Sequence, residues 1–436
     1  MNIREIALKL LMDYEECGKY VNLSLNSHIA DGLGGEDRAR LTALLYTTVE
    51  HKLTYDYYIA ALSGRGIEKL TDHTKCILRL GLCQIVDMDN IPDFAAVNET
   101  VKLAKNPGER SLVNGILRRA VREKDSLPLP KKEKNAARYY SVAYSLPLAT
   151  VKHFIAELGE DEAVKLFETF NSQPPISLTV NTLKISVDDF IAELEKQGYT
   201  ATRVKFSPIT VTLSEAANPR KIKGFEEGWF YVQDEASAIA ALALSAKAGD
   251  TVIDVCSAPG GKSFASAILS SDKAKIHSFD LHESKLSLIT DTADRLGIRS
   301  VTASVRDALT PDESLIGTAD KLLCDVPCSG LGVIAKKPDL RYKDISATTE
   351  LPPLQLDILT ASSRYLKNGG ELVYSTCTLN PHENAEVVHR FLDQNPDFTL
   401  VAFSVGSLKS EDGMLTLWPH IHNTDGFFIS KLRKNK

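Results

Sequence analysis

Thr251-Val252-Ile253-Asp254-Val255-Cys256-Ser257-Ala258-Pro259-Gly260-Gly261-Lys262-Ser263 decides the fold of this chain. Its first half is a short apolar run of the kind that forms a strand buried on both faces. A Pro-Gly-Gly loop ends the run, and helical periodicity resumes at once. Strand, tight loop and helix in that order open a doubly wound sheet, whose ligands bind at the carboxyl ends of the strands. Downstream, strand patterns at 275–281, 301–305, 321–326, 370–375 and 427–432 are interleaved with helical patterns at 283–296, 355–366 and 384–392. Residues 228–436 are therefore expected to form a Rossmann-like α/β domain with a mostly parallel, doubly wound sheet.

Upstream the texture differs. Ile3, Ile6, Ala7, Leu10 and Leu11 repeat at helical spacing, and 41–62, 74–86, 93–104 and 111–121 continue the pattern, with Pro92 at a helix start. Residues 1–128 read as an all-helical domain. Pro128, Pro130 and several lysines between 124 and 134 break the periodicity and have the composition of an exposed linker. Helical patterns at 148–158 and 161–169 follow. Alternating Ile176–Asn181, a helix over 186–197 that starts Ser-x-x-Asp and stops at Gly198, and strands at 201–206 and 209–213 come next. Residues 137–227 are expected to form a small α+β module.

The chain has 436 residues, 43% of them hydrophobic and 25% charged, which suits two or three ordinary globular domains. The N-terminal stretch mixes charge with apolar residues and has no signal-peptide pattern, and no run is long enough for a membrane helix. Seven scattered cysteines suit reduced thiols in a cytoplasmic protein. The net charge of −6 hides a local excess of cations, because Lys102, Lys105, Arg110, Arg118, Arg119, Arg122 and Lys124 face only Glu109 and Glu123. Such a stripe suits RNA phosphates; it also reads as a solvated helical face.

The chemistry is sought at the strand ends. In the loop Cys256 to Lys262, Gly260 and Gly261 give a ligand close access to backbone beneath a helix N-terminus. The loop lacks the G-x-G-x-x-G spacing of dinucleotide sites and the G-x-x-x-x-G-K-[ST] spacing of a P-loop. Asp280, ending the second strand, is placed to accept ribose hydroxyls, and Asp307, after the third, to meet an adenine amino group; both also read as helix caps. Two later strands end in Asp325-Val326-Pro327-Cys328-Ser329-Gly330 and Tyr374-Ser375-Thr376-Cys377-Thr378. If those strands are neighbours, Cys328 and Cys377 meet beside the ligand crevice. A disulfide, a zinc site lacking its remaining ligands, or inert core thiols are the structural alternatives. The chemical reading is covalent catalysis: C5 of cytosine is a poor nucleophile until a thiolate adds at C6, and Asp325 is suited to protonate ring N3.

Taken together these motifs resemble the Nop2/Sun family of RNA (cytosine-5) methyltransferases, and within it the bacterial RsmB branch, over the whole chain. The resemblance implies a class I methyltransferase fold with S-adenosylmethionine held by Cys256, Ser257, Ala258, Pro259, Gly260, Gly261, Lys262, Asp280, Asp307 and Asp325. It implies Cys377 as nucleophile, since this family attacks with its Thr-Cys thiol, with Cys328 assisting product release and Lys262 and Asp325 lining the reaction site. Ser257 and Thr378 stand where alanine and serine are common. Gly228 to Ser237 resembles the family's approach to the catalytic domain, and Lys336-Lys337-Pro338-Asp339-Leu340-Arg341 its basic Pro-Asp stretch; either also reads as plain surface structure. Ala96 to Glu99 and Val113 to Arg118 are similar to a NusB-like RNA-binding domain, and the middle module to an RNA-recognition-like insert. The implied partner is 16S ribosomal RNA, naked or in an assembling subunit. The expected RNA contacts are Lys102, Lys105, Arg118, Arg119, Arg122, Lys337 and Arg341, on a monomer without metal or membrane. The same methylation on tRNA, and an RNA-binding assembly factor without turnover, are the rival readings.

Overall fold

A computed structural model describes residues 2–17, 25, 33–214, 217–343 and 345–435. The chain divides into two compact units, one of Met1–Ser172 with Ile334–Asp344, the other of Gln173–Val333 with Ile345–Lys436.

The first unit is helical. Its described helices are Ile3–Cys17, Gly35–Glu50, Lys52–Ser63, Asp72–Val86, Asp93–Val101, Pro107–Arg122, Ala136–Ala143, Leu148–Leu158 and Glu160–Phe170. Asp72–Val86 is the hub, buried from Cys76 to Ile85. Its N-terminus is capped by Thr71, whose Oγ1 accepts from Thr74 N at 3.2 Å, and Asn106 caps Pro107–Arg122 in the same way at 2.9 Å. The helix expected over 41–62 is two helices, broken at His51, where backbone angles of −97° and 17° leave the α-helical region.

The helices after residue 135 cluster with this compact unit. Thr54 Oγ1 donates to Val142 O at 2.6 Å and Ser145 Oγ accepts from Leu53 N at 3.0 Å, so Ala136–Ala143 is fastened to Lys52–Ser63. The proline-rich stretch before it links two parts of one body. The excursion Ile334–Asp344 is fixed here too, with Tyr342 Oη 2.7 Å from Val49 O.

The second unit begins with a four-stranded antiparallel sheet: β1 (Ile176–Val180), β2 (Ala201–Arg203), β3 (Thr210–Leu213) and β4 (Phe230–Val232), ordered β2-β3-β1-β4. Helix Val187–Lys196 lays Phe190 and Leu194 on Leu178, Val180 and Phe230. β4 extends the expected β-α-β-β module by a strand from residues assigned on sequence to the catalytic domain; only three residues long, it shows no period of its own.

The main sheet comprises β5 (Thr251–Asp254), β6 (Lys275–Asp280), β7 (Val301–Val305), β8 (Ala319–Asp325), β9 (Leu366–Thr376), β10 (Phe398–Leu400), β13 (Met414–Leu417) and β14 (Phe427–Lys434), with β11 (Phe403–Val405) and β12 (Leu408–Ser410) pairing separately. Its order is β10-β14-β9-β8-β5-β6-β7; the run from β9 to β7 is parallel, and β14 is antiparallel to its neighbours. Alternate residues serve opposite cores: Val252, Leu323 and Val373 pack in one, Ile253, Leu322 and Leu372 in the other. The chain leaves β5 for β6 and β7 on one side and returns for β8 on the other, so the crevice opens at the carboxyl ends of β5 and β8. No helix among the described residues is long and apolar enough to cross a membrane.

Candidate active site

At the end of β5 the backbone turns so that Ser257 N donates to Phe279 O at 2.8 Å and Ala258 N to Asp280 Oδ2 at 3.3 Å. Gly260 has φ = 108°, and a Cβ there would run into the Phe264 ring. A Cβ on Gly261 would lie 2.8 Å from Gln233 Nε2. Gly260 is thus required by close packing and by its backbone angle, whereas at Gly261 the flexible Gln233 amide would have to give way. The loop walls a cavity of about 180 Å³ whose other lining includes Gln233, Asp234, Asp254, Lys262 and Asp325.

Asp254 forms the floor. Its Oδ2 accepts from Ser263 Oγ at 2.7 Å while the buried Oδ1 has no protein partner. Burial pushes its carboxyl up to about 7, against the weaker opposing effects of Ser263 and Lys262. A carboxyl whose folded-state pKa lies above its unfolded value binds a proton on folding. Its stabilising contribution is therefore full below about pH 4 and is lost as pH rises to about 7. Asp254→Asn is expected to remove that fall, on the order of a few kcal/mol, when urea unfolding is followed against pH. An unchanged pH slope would contradict this.

β8 and β9 are parallel neighbours, and Asp325 pairs in register with Ser375. Asp325 is held from both sides, by Lys262 Nζ on Oδ2 and Ser375 Oγ on Oδ1, each at 2.6 Å. Lys262 also lies 5.2 Å from the Phe427 ring centroid. Beyond the strand ends, the sulfurs of Cys328 and Cys377 lie 3.2 Å apart, both half-buried. The hydrogen bond with Cys377, together with burial, holds the Cys328 thiol well above its usual range. None of the seven cysteines is in a disulfide.

A buried polar frame holds the two cysteine loops. Glu383 accepts from Ser329 N at 2.8 Å, Gln355 Nε2 at 3.0 Å and Asn380 Nδ2 at 3.0 Å. Ser329 Oγ meets Thr378 Oγ1 at 2.6 Å, and Gly332 N donates to Cys377 O at 3.0 Å. Glu383→Ala strands these donors. It is expected to cost about 3 kcal/mol in stability, checked by denaturant unfolding; a loss under about 1 kcal/mol would contradict the frame.

The loop residues Cys256 to Pro259, Gly261, Lys262 and Asp325 thus meet at one cavity, with Gly260 shaping its wall. Asp280 lies behind the loop, its second oxygen accepting from His282 N at 3.0 Å. Asp307 is exposed and caps its own turn through Leu309 N at 2.9 Å. Sequence reasoning missed Gln233, Asp234, Asp254 and Ser375 as site residues. A carboxylate inside the apolar run of β5 was the available signal for Asp254, whereas Gln233 and Ser375 become visible only with the strand pairing.

Among the expected RNA contacts, Arg118, Arg122 and Lys105 are exposed, Lys102 pairs with Glu99 at 2.6 Å, and Arg119 is engaged by Glu123 at 2.7 Å and Leu62 O at 2.9 Å. Lys337 is exposed. Arg341 must be withdrawn from that set. It is 0% exposed and its guanidinium donates to Tyr144 O at 2.8 Å, Phe170 O at 2.7 Å and Asn171 Oδ1 at 2.5 Å. A cation spent on buried carbonyls has no face left for phosphate.

Comparison with known proteins gives the same order of parts, with the middle match beginning at the last two helices of the first unit. Residues 1–122 match the NusB family, 147–219 the RsmF/B-like ferredoxin-like domain, and 241–433 the 16S rRNA methyltransferase RsmB/F family. A probable ribosomal RNA small subunit methyltransferase B of Bacillus subtilis is 35% identical over 99% of each chain. The crystal structure of PH0851 superposes with a TM-score of 0.81 at 28% identity, over 100% of this chain and 99% of that one. That of NSun6 from Pyrococcus horikoshii with SFG does so at 0.60 and 25%, over 65% and 97%. Helical domain, ferredoxin-like module and mostly parallel catalytic sheet recur in the order expected, and on that full-length likeness the chain belongs to the RsmB/F family of 16S rRNA methyltransferases.

Proposed function

We propose that this enzyme transfers a methyl group from S-adenosylmethionine to C5 of a cytosine in 16S ribosomal RNA, with Cys377 as covalent nucleophile. The observation that carries this reading is the pair of sulfurs 3.2 Å apart at the ends of neighbouring strands, next to a Lys262–Asp325 pair that lines the loop cavity.

The residues fit the cofactor. Two glycines keep side chains out of the loop, and the buried Asp254 Oδ1 is an unused acceptor beneath it. Cys256 to Lys262 and Asp325 would hold the cofactor, with Asp280 and Asp307 assigned to its ribose and adenine as the family likeness implies; when bound, it supplies an electrophilic methyl group. Cys377 Sγ adds to C6 of the base, and the Lys262–Asp325 pair delivers a proton to N3 as electron density moves to C5. Ser375 keeps Asp325 aimed. Cys328, held as a thiol, donates its S–H to the Cys377 sulfur, stabilising the thiolate before attack. After methyl transfer the C5 proton passes to solvent, the N3 proton returns to Asp325, and the C6–S bond breaks to release the Cys377 thiolate, which Cys328 stabilises again.

The test is methyl incorporation by the full chain from labelled S-adenosylmethionine, followed by mapping of the modified base. Label at C5 of a cytosine in 16S RNA is the expected result. Label on tRNA instead, or on a ring nitrogen or ribose, would overturn the assignment.

A further inference from the structure

The most exposed large hydrophobic side chain among the described residues is Phe94, 72% exposed in the first turn of Asp93–Val101. It contributes nothing to the helical core, whose members on that helix are Ala96 and Val97. Phe94 edges a groove of about 490 Å³ between this helix and Pro107–Arg122, floored by Val97 and Val121 and walled by Arg118 and Arg122. That volume lies in the range of small-ligand sites.

The two arginines are one helical turn apart on one face, where like charges repel unless an anion lies between them. Both are exposed. Arg118 Nε is steadied by Asn114 Oδ1 at 2.9 Å, and neither guanidinium has an ion-pair partner among the described residues, in contrast to the neighbouring Arg119. The groove's lining adds one acid, Asp93, and one amide, Asn98. An aromatic platform beside two uncommitted cations matches the chemistry of an unpaired nucleotide, whose base stacks and whose phosphate takes guanidinium hydrogen bonds. Bases within a duplex are already stacked and offer no free face.

We infer that this groove binds an unpaired RNA nucleotide, its base stacked on Phe94 and its phosphate held by Arg118 and Arg122. The inference rests on the RNA substrate proposed above and adds that the helical unit selects single-stranded RNA.

Fluorescence anisotropy of the full chain with a labelled ten-nucleotide single strand, and with the corresponding duplex, tests it. Phe94 lies outside the core, so its variants fold. Phe94→Ala is expected to weaken single-strand binding roughly five- to hundred-fold without changing the salt slope, and to leave duplex binding alone, while Phe94→Trp retains affinity. Arg118→Gln with Arg122→Gln should reduce the slope of log K against log salt by about 1 to 2. In photocrosslinking with 5-bromouridine RNA, an adduct is expected on the peptide carrying Phe94. Single-strand affinity of Phe94→Ala or Phe94→Leu within two-fold of wild type, or crosslinks confined to other peptides, overturns the inference; the leucine result would mark the groove as an apolar peptide-docking site. Neither assay uses cofactor. Wild-type protein that binds single strands through Phe94 yet methylates no RNA would therefore sink the proposed function alone.

Discussion

Cys377→Ala is expected to abolish both methyl transfer and any covalent RNA adduct, whereas Cys328→Ala is expected to accumulate an adduct that survives denaturation. The asymmetry follows from the roles that the family likeness implies for the two thiols. The sulfurs are 3.2 Å apart, in a contact where either can donate, and that contact with burial holds the Cys328 thiol above its usual range. With Cys377 as the proposed nucleophile, Cys328 is the thiol placed to hydrogen-bond its sulfur. Deleting a covalent nucleophile costs rate on the scale of roughly 10⁴-fold or more. Deleting Cys328 leaves addition possible and removes the donor that receives the departing thiolate. Denaturing gels of enzyme mixed with RNA and S-adenosylmethionine read both outcomes; adduct from Cys377→Ala and none from Cys328→Ala would exchange the two roles.

Much of this site is legible in the amino-acid sequence, because its residues sit at the ends of strands that are followed by distinctive Gly-, Pro- and Cys-containing loops. β5, β6, β8 and β9 each end in their chemical groups or lead directly into them, so Asp280, Cys328 and Cys377 are found together once strand order is assumed. What escapes lies where the period is short or long-range pairing decides. β4 and β10 to β13 have three or four residues each, too few for alternation to stand out. Ser375 reads as an ordinary strand serine until its register with Asp325 places its hydroxyl on that carboxylate. The proline and lysine content of 124–134 suggests a boundary, but it is silent about Thr54 and Ser145, which fasten the next helix to the first unit.

Arg341 is where the sequence pattern and the packed structure part company, and its replacement carries the second large expectation. A basic residue in a Lys-Lys-Pro-Asp-Leu-Arg run suggests phosphate, but its guanidinium is sealed inside the helical unit on three carbonyl-type oxygens, with Glu50 at 3.5 Å. Burial raises the pKa of Glu50, and Arg341 is the largest opposing influence. Arg341→Met therefore strands the carbonyls of Tyr144 and Phe170, frees Asn171 and leaves Glu50 without its main counter-charge. The expected loss is about 3–5 kcal/mol, or roughly 10 °C in Tm. Arg341→Lys should rescue little, because one ammonium on a flexible stem cannot meet three acceptors that a planar fork spans. Were Arg341 a phosphate contact, both variants would keep their Tm and lose about a unit of salt slope in RNA binding. Thermal melts and salt titrations of the same two proteins separate these outcomes, and an unchanged Tm would return this arginine to the RNA face.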